Sequence, residues 1–439
     1  MEPTRQIFGN IPRGSQILFY ALTVATMVVF VYGVWRRFRL WRQGISIDAL
    51  ALIKGNLLQL VQKWKPGARR LLVDGLGQQR VRGRGLAGPA HIVMFAGFMI
   101  LFLGTAMLEI DHIAEMISES LAFHRGLYYI IYEYTLDVFG LLFLVGCIYF
   151  LWRRTRRPAS VGHRATDWYV LGSFIAIGVT GYLVEALRIG WQHPVGIGAK
   201  CSPVGLWIFS TCFSGLADHP VRVAHLSIWW LHSLLVFGFI ASVPFTRLFH
   251  FIAGPLNLFF AKPGLGYMRP ITMEEVEKTE RMGVSDIRHF TQQQLLSLDA
   301  CMECGRCDDA CPALATGKPL SPKRVVIDLK HLMNEALGLS RVAASSRALH
   351  GETMAAETLW SCTACSACVN ICPVRIDQLT LILEMRRYLV GEGGLSGPAA
   401  TALRRMQSAA NPWGLPAADR ADWIGALNPP RDGQTPTAA

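Results

Sequence analysis

Two cysteine-rich runs near the end of the chain carry the residues best suited to chemistry. Residues 301–312 read CMECGRCDDACP and residues 362–373 read CTACSACVNICP, so both follow the spacing C-x2-C-x2-C-x3-C-P. With this spacing, three thiolates hold one [4Fe–4S] cluster and the fourth Cys, before Pro, ligates the cluster of the other run. Two clusters are therefore predicted. Their ligands are Cys301, Cys304, Cys307 and Cys372 for the first cluster, and Cys362, Cys365, Cys368 and Cys311 for the second.

Structural zinc is the alternative for these cysteines, because zinc is also bound by C-x2-C pairs. A zinc site needs four ligands, and it gives no role to an additional Cys before Pro in each run. We therefore favour iron–sulfur clusters, whose chemistry is the transfer of single electrons. Such thiolates belong in a reducing compartment, so we expect this part of the chain in the cytoplasm.

Four histidines fall in or beside two apolar segments: His91 and His112 on one, and His232 and His250 on the other. If each segment is a continuous helix, the pairs are separated by about 31 Å and about 27 Å. In antiparallel spans His91 is then level with His250, and His112 with His232. A low-spin b-type haem takes one axial nitrogen from each side, so these pairs predict one or two haems.

Other interpretations of the histidines stay open. A single His inside a membrane is often a hydrogen-bonded packing residue. His124 and His225 lie close enough in sequence to the outer pair to replace His112 or to line a quinone pocket. The ligand opposite His232 is therefore the least defined of the four.

Carboxylates are expensive inside a bilayer, so those in apolar segments are functional candidates. Glu133, Asp137 and Glu185 are of this kind. Together with His225 they form a candidate relay for the protons that a quinone takes up or releases. The alternative is that each carboxylate is satisfied by a neighbouring Arg or Tyr. No catalytic residue is predicted beyond this candidate relay.

The composition indicates a membrane protein, since 51% of the 439 residues are hydrophobic and 17% charged. Five segments are long enough to cross a bilayer as helices. They are residues 17–35, 90–108, 126–152, 168–187 and 223–245. The net charge of +12 comes from basic residues that flank these segments, which argues against a nucleic-acid partner.

The basic residues also orient the spans. The loops after the first and third spans carry 17 Lys and Arg, whereas the N-terminus and the loops after the second and fourth carry 6. The positive-inside rule places the richer side in the cytoplasm. We therefore expect the N-terminus outside and the cluster domain in the cytoplasm of a bacterium or archaeon, attached to its cytoplasmic (inner) membrane.

The predicted fold is all-α, a five-helix transmembrane haem b bundle followed by a helical ferredoxin domain. Helical patterns cover residues 322–337 and 377–390. Five parts are predicted: an outer lead-in (1–16), the membrane domain (17–262), a linker and helix (263–298), the 2[4Fe–4S] domain (299–390) and an extended, partner-binding tail (391–439). In the outer loop we favour a Cys201–Cys212 disulfide over two unpaired thiols. Cys147 is expected in the core.

The membrane part resembles the cytochrome b (gamma) subunit of respiratory nitrate reductase and its relatives in heterodisulfide-reductase-like complexes. The similarity is strongest in VPFTRLFHFIAGP, residues 243–255, which matches the end of that family's fifth helix. The resemblance implies that His250, His232 and His91 are haem ligands. It does not extend to the family's second His in span two, because residues 101–105 contain none.

The cluster part resembles the helical ferredoxin modules of heterodisulfide reductase, of the iron–sulfur subunit of glycerol-3-phosphate dehydrogenase, and of membrane reductases fed by electron-transfer flavoprotein. In fused members a cysteine-rich CCG domain follows, and NPWGLPAADRADW (411–423) is similar to the connector that precedes it. The resemblance implies that a CCG-type or other catalytic unit is a separate subunit.

These observations predict a membrane electron-transfer subunit of a quinone-linked oxidoreductase. It would link the (mena)quinone pool to a cytoplasmic redox partner, which would be a CCG-type, electron-transfer-flavoprotein or hydrogenase-like subunit. The alternative is an accessory membrane polyferredoxin without haem. A self-contained enzyme is disfavoured, because the Gly-rich stretches lie in basic loops or the tail rather than in a strand–turn–helix context. The direction of electron flow and the partner's substrate are left open.

Overall fold

The protein is described by a computed structural model that covers residues 7–46, 57–83, 85–156, 165–193, 200–262, 264, 270–336, 338 and 347–427. Over these residues every regular element is a helix, and the strand-like features are two isolated bridges, Ile45–Thr291 and His350–Met354. The predicted all-α fold is confirmed.

The first part of the chain forms the membrane bundle. Its helices are α1 (Arg13–Trp41), α2 (Leu57–Arg70), α3 (Ala87–Ile117), α4 (Gly126–Thr155), α5 (Ala165–Gln192), α6 (Pro203–Cys212), α7 (Asp218–Ser242) and α8 (His250–Phe260). Helices α1, α3, α4, α5, and α7 with its following turn are long and apolar enough to cross a membrane, which confirms the five predicted spans.

Helix α3 packs closely against α4 through small residues. A Cβ atom added at Gly97 would lie 2.7 Å from Cβ of Phe143, and one added at Gly104 would lie 2.5 Å from Cδ2 of Leu136. Small residues at such contacts let two membrane helices approach each other. Helix α7 packs instead on α5 and α1, and α3 and α7 make little direct contact. The helix that carries His91 and His112 and the helix that carries His232 are thus held by different neighbours.

The chain between His232 and His250 is not one continuous helix. Helix α7 ends at Ser242, and two 3₁₀ turns, Val243–Phe245 and Arg247–Phe249, lead to α8, which begins at His250. Pro244 lies in the first turn and has no N–H with which to continue the helix. The helical rise therefore does not give the separation of these two histidines. On the other segment, α3 extends to Ile117, so His112 lies on the helix itself.

The remaining helices carry and surround the cysteine runs. They are α9 (Met273–Thr279), α10 (Gln292–Asp299), α11 (Arg306–Asp309), α12 (Pro312–Ala315), α13 (Pro322–Ala336), α14 (Ala356–Trp360), α15 (Ala367–Ile371), α16 (Gln378–Gly391), α17 (Gly397–Ala409) and α18 (Asp422–Leu427). The apolar patterns that predict α13 and α16 match these helices, and their side chains Val325, Leu329 and Leu379 are buried.

Two compact units make up the structure. The first contains Met1–Tyr267 and Asp286–Leu381, so the membrane helices and both cysteine runs belong to one unit. The second contains Met268–Ser285 and Ile382–Ala439. The segment that was expected to be one linker helix is interrupted by left-handed residues, Glu280 with φ 53° and Gly283 with φ 75°.

Two expectations differ from the structure. The first part of the tail is helix α17 rather than extended, because Pro398 starts a segment rich in Ala, the strongest helix former. The disulfide is also wrong, since Cys201 and Cys212 are both free. Cys201 precedes helix α6 and Cys212 ends it, so about 14 Å of helix separates the ends, whereas a disulfide needs Cα atoms within about 7 Å. Cys147 is fully buried in the bundle core, as expected.

Candidate functional site

Both cysteine runs adopt the same unusual backbone. In the first run, Glu303 (φ 55°) and Gly305 (φ 79°) have left-handed conformations. In the second run, Ala364 (φ 56°) and Ser366 (φ 61°) do so at the equivalent positions, two and four residues after the first Cys. Such turns direct consecutive backbone N–H groups into a concave space that suits an anionic group. The N–H of Ala364, for example, donates to Sγ of Cys362 at 3.4 Å.

In the first group of thiols, Cys372 is buried and Cys301, Cys304 and Cys307 are partly exposed. Burial raises the pKa of Cys301 to about 12, and the nearby Cys304 and Cys372 raise it as well. Burial likewise raises the pKa of Cys307, which is also influenced by Cys301, Cys304 and Cys372. The fold therefore brings a Cys of the second run beside three of the first. Thiols with such pKa values stay protonated unless a bound metal displaces the proton.

The second group has the reciprocal composition. Burial raises the pKa of Cys368 to about 12, with further contributions from Cys362, Cys311 and Cys365. Cys365 is exposed and Cys362 partly exposed, so this group reaches the surface. The exchange of the fourth Cys between the runs, which the spacing predicts, agrees with both groups.

Each group offers four thiols, which is the donor set of a [4Fe–4S] cluster. Among the residues that the structure describes, no group of three or more His, Cys, Asp or Glu side chains is arranged to hold a single metal ion.

The inner histidines, His91 and His250, present ring nitrogens suited to a haem iron. Nδ1–H of His250 donates a 2.8 Å hydrogen bond to the carbonyl oxygen of Arg247. This bond fixes the tautomer and leaves Nε2 available as a ligand. Burial lowers the pKa of His250 to about 4, and the nearby His91 lowers it too, which keeps the ring neutral. His91 is near the start of α3, and its buried Nδ1 has no hydrogen-bond partner in the part of the chain that the structure describes.

The outer histidine on α7 is oriented in a similar way. Nδ1–H of His232 donates to Oγ1 of Thr180 at 2.9 Å, and the Thr180 hydroxyl donates to the carbonyl oxygen of Ala176 at 2.7 Å. Among the described residues, the buried Nδ1 of His112 has no hydrogen-bond partner. The ring of Phe8 lies 5.1 Å from the ring of His112 and 6.0 Å from that of Trp229, three residues before His232.

The two alternative histidines have other polar partners. Nδ1 of His124 lies 3.4 Å from Oδ2 of Asp111, and both side chains are buried. The ring of His124 also contacts that of Tyr132 at 4.5 Å. Nδ1 of His225 lies 3.2 Å from the amide nitrogen of Asn10. These contacts agree with the alternative interpretation from the sequence, in which a histidine inside the membrane is a hydrogen-bonded packing residue.

The candidate proton-relay carboxylates, Glu133, Asp137 and Glu185, are all hydrogen-bonded. Arg188 donates to Oε1 of Glu185 at 2.6 Å and to Oε2 of Glu133 at 3.2 Å. Asp137 accepts the backbone N–H groups of Val204 (2.9 Å) and Gly205 (3.3 Å). The Arg partner was among the expected alternatives, whereas the capping of α6 by Asp137 was not. The one sequence signal for the start of α6, where Asp137 binds, is Pro203, because proline favours the first turn of a helix.

The residues that tie the cysteine runs to the membrane helices are absent from the sequence-based predictions. Asp299, two residues before Cys301, accepts from Nε1–H of Trp41 at 2.9 Å and from Nη1 of Arg37 at 3.3 Å. Nζ of Lys330 lies 3.3 Å from the same carboxylate, whose side chain has no exposed surface. No local pattern predicts these contacts, because the partners are far apart in sequence.

A second set of contacts lies on the basic inner loop. Arg306, between Cys304 and Cys307, donates to the carbonyl oxygen of Val81 at 2.9 Å. Arg375 donates to Oδ2 of Asp74 at 2.7 Å. The basic loop between the first two spans therefore contacts residues in or next to both cysteine runs.

Comparison with known families identifies both parts of the chain. Residues 89–268 match the family model of the nitrate reductase gamma subunit, and residues 297–376 match that of the 4Fe-4S dicluster domain. The chain therefore combines a nitrate reductase gamma-type domain with a 4Fe–4S dicluster domain. No solved structure matches it.

Curated relatives share both parts or one of them. The EtfAB:quinone oxidoreductase of Syntrophomonas wolfei subsp. wolfei is 32% identical over 96% of this chain and 61% of its own length. A probable membrane-anchored ferredoxin of Chromohalobacter salexigens is 26% identical over 94% of this chain and 59% of its own. One subunit of the dihydromethanophenazine:CoB–CoM heterodisulfide reductase of Methanosarcina acetivorans is 25% identical over 55% of this chain and 90% of its own. The chain spans about 60% of the length of the first two relatives.

Proposed function

We propose that this chain, a nitrate reductase gamma-type domain joined to a 4Fe–4S dicluster domain, is the membrane electron-transfer subunit of a quinone-linked oxidoreductase. It would carry electrons between a cytoplasmic redox partner and the (mena)quinone pool. One observation carries the proposal: the turn that presents His250 and the loop of the first cysteine run lie in the same compact unit and are in direct contact. Clusters and haem bound at these residues would supply single-electron transfer.

The cysteines have distinct tasks in this proposal. The cluster nearer the membrane helices would be held by Cys301, Cys304, Cys307 and Cys372. The other cluster would be held by Cys362, Cys365, Cys368 and Cys311. The exposed Cys365 puts the second group where a soluble partner can approach. Buried residues around the first group would exclude water from it.

The histidines would hold b-type haem. His91 and His250 would ligate an inner haem, with the Arg247 carbonyl fixing the His250 ring. His232 would ligate an outer haem, with Thr180 fixing its ring. His112 is the proposed partner of His232, supported by its place on α3 and by its unpartnered Nδ1. The number of haems, one or two, depends on His112.

The relatives support the class of partner and acceptor. One relative is named as an EtfAB:quinone oxidoreductase, and another as part of a dihydromethanophenazine:CoB–CoM heterodisulfide reductase. By this likeness the partner would be an electron-transfer flavoprotein, a CCG-type protein or a hydrogenase-like protein. We further propose that the N-terminus is outside the cytoplasmic membrane and the cysteine runs inside. Glu133, Asp137, Glu185 and His225 remain the proposed relay for quinone protons.

A second function is favoured by one relative. The name of the probable membrane-anchored ferredoxin mentions no haem and no quinone. A polyferredoxin that supplies electrons for maturation or regulation would need both cysteine runs and the spans. It would not need buried histidines whose Nδ1 atoms are fixed by acceptors.

The experiment is to record a reduced-minus-oxidised absorption spectrum of the purified full chain and then the same spectrum of the His250→Ala variant. We expect a b-type haem band in the native chain. His250→Ala should lose the inner haem and quinone-dependent turnover but keep cluster reduction by a soluble donor. His219→Ala, at an exposed position on α7, is the matched control. A native chain with intact clusters and no haem band would favour the accessory polyferredoxin.

A further inference from the structure

Arg247 touches both halves of the proposed electron-transfer site. It lies in the 3₁₀ turn Arg247–Phe249, directly before His250. Its carbonyl oxygen accepts the Nδ1–H of His250 at 2.8 Å. Its Nη2 donates to Oε2 of Glu303 at 2.7 Å. A single residue therefore links the ring of a candidate haem ligand to the loop that contains Cys301 and Cys304.

Glu303, the partner of Arg247, has an unusual left-handed backbone conformation. It lies between two predicted cluster ligands and has φ 55°, a conformation that residues other than Gly rarely adopt. The equivalent residue of the second run is Ala364, which has no charge to pair. An ion pair at this position is therefore a feature of the first run and has no counterpart at Ala364 in the second.

The pair belongs to a largely enclosed row of alternating charges. Nη1 of Arg247 donates to Oδ1 of Asp167 at 2.6 Å, and Nη1 of Arg154 donates to Oδ2 of the same carboxylate at 2.7 Å. The side chains of Arg154, Asp167, Arg247 and Glu303 are 14%, 5%, 13% and 12% exposed. Charges that are shielded from water act on their neighbours more strongly than surface charges do.

The geometry of this row points to a role in electron distribution. We propose that Arg247 is a positioning residue that holds the first cluster loop against the turn of His250 and sets how one electron is shared between the first cluster and the inner haem. This inference rests on the proposed function. The electron that the cluster loses is the one that the haem iron gains, and no proton or other reactant is involved.

Electrostatics gives the sign of each effect. A positive charge beside the cluster loop stabilises the reduced, more negative cluster, and a negative charge there destabilises it. Removing the charge of Arg247 should therefore lower the reduction potential of the first cluster. Removing the charge of Glu303 should raise it. A residue that only stabilised the fold would not give shifts of opposite sign.

The test is a redox titration of the purified full chain. The reduced clusters and the ferric haem are detected at each potential by electron paramagnetic resonance. For Arg247→Gln we expect the equilibrium ratio of reduced haem to reduced first cluster to rise about tenfold. For a one-electron couple this corresponds to a change of about 59 mV in the difference between their reduction potentials. Glu303→Gln should shift it the other way. Arg247→Lys keeps the charge and should leave the potential close to that of the native chain. Arg154→Gln, in the same row but paired with Asp167, is the matched control.

The outcomes separate this inference from the proposed function. Shifts of the same sign, or no shift, in Arg247→Gln and Glu303→Gln with both clusters present would overturn the role of Arg247. If Arg247→Gln does not assemble, a raised potential in Glu303→Gln with a native one in Arg247→Lys supports it, and the absence of that difference overturns it. A native chain without haem would contradict the proposed function, while opposite cluster shifts would still support the link between Arg247 and Glu303.

Discussion

The indole Nε1–H of Trp41 donates a 2.9 Å hydrogen bond to Oδ2 of Asp299. Trp41 is the last residue of α1, and Asp299 is the last residue of α10, two positions before Cys301. The ring of Trp41 also lies 5.9 Å from that of Phe249, the residue before His250. The first span, which lies outside the gamma-type domain, therefore contacts residues close to both a candidate cluster ligand and a candidate haem ligand.

Asp299→Asn should loosen this junction. The change leaves Arg37 and Lys330 without their countercharge, which we expect to cost about 2–3 kcal/mol because both cations are partly exposed. Heating the purified chain and following the loss of cluster absorbance gives the measurement, and the variant should lose its clusters at a lower temperature. Trp41→Phe, which removes one hydrogen bond, should show a smaller effect of about 1 kcal/mol.

Asp309→Asn is the control for this comparison, because Asp309 lies in the cysteine run that follows Asp299 and is at an exposed position. Equal heat stability of Asp299→Asn and Asp309→Asn would mean that the Asp299 carboxylate does not hold the junction.

Thr180→Val should weaken the proposed outer haem. Valine has the shape of threonine but cannot accept the Nδ1–H of His232. Loss of a partner that orients a metal-binding His typically reduces affinity by about 10- to 100-fold. Haem content per chain, measured after extended dialysis in detergent, should fall for one haem and stay unchanged for the other.

Thr105→Val is the matched control for Thr180→Val. Thr105 is on α3 at an exposed position, and its hydroxyl donates to the carbonyl oxygen of Leu101 at 3.0 Å. If Thr180→Val and Thr105→Val retain haem equally, the bond to His232 has no part in haem binding.

Single Cys→Ser changes before each Pro should affect the opposite cluster. Cys372→Ser should disturb the cluster of the first run, and Cys311→Ser that of the second, because the fourth ligand is exchanged between runs. Each variant should lose about half of its iron. By electron paramagnetic resonance, Cys372→Ser should keep the signal of the second cluster, and Cys311→Ser should keep that of the first. If Cys372→Ser instead disturbs the cluster held by Cys362, Cys365 and Cys368, the exchanged assignment is wrong.

Labelling of Cys212 tests both the thiol state and the orientation of the spans. Cys212 is exposed at the end of α6, whereas Cys201 is buried. A membrane-impermeant maleimide added to intact cells should label Cys212, since the proposed orientation puts this loop outside. Burial raises the pKa of Cys201 to about 11, so its reactive thiolate is scarce at pH 7–9 and becomes abundant only near pH 11.

Cys212→Ser should abolish the labelling of intact cells. Labelling of the native chain that appears only after the cells are made permeable would reverse the orientation. A disulfide between Cys201 and Cys212 would instead protect both thiols until a reductant is added.

Several features could be read directly from the sequence. The two cysteine runs specify their ligands because the ligand spacing is local and short. The spans follow from the length and apolarity of five segments, and α13 and α16 from their apolar periodicity. His91, His232 and His250 could be selected because they lie in or beside apolar segments and match ligand positions of the family that the membrane part resembles.

Other features depended on the tertiary structure. The break of α7 before His250 follows from one proline whose effect depends on its neighbours, and helix α6 between Cys201 and Cys212 removes a disulfide that loop length alone allows. Trp41 is 258 residues from Asp299, and Arg247 is 56 residues from Glu303. The sequence thus determined which residues are the candidates for binding clusters and haem, since a ligand's chemistry is intrinsic to its side chain and spacing. Only the folded chain decided which charges meet, because a buried charge takes whichever countercharge packing brings within hydrogen-bond distance.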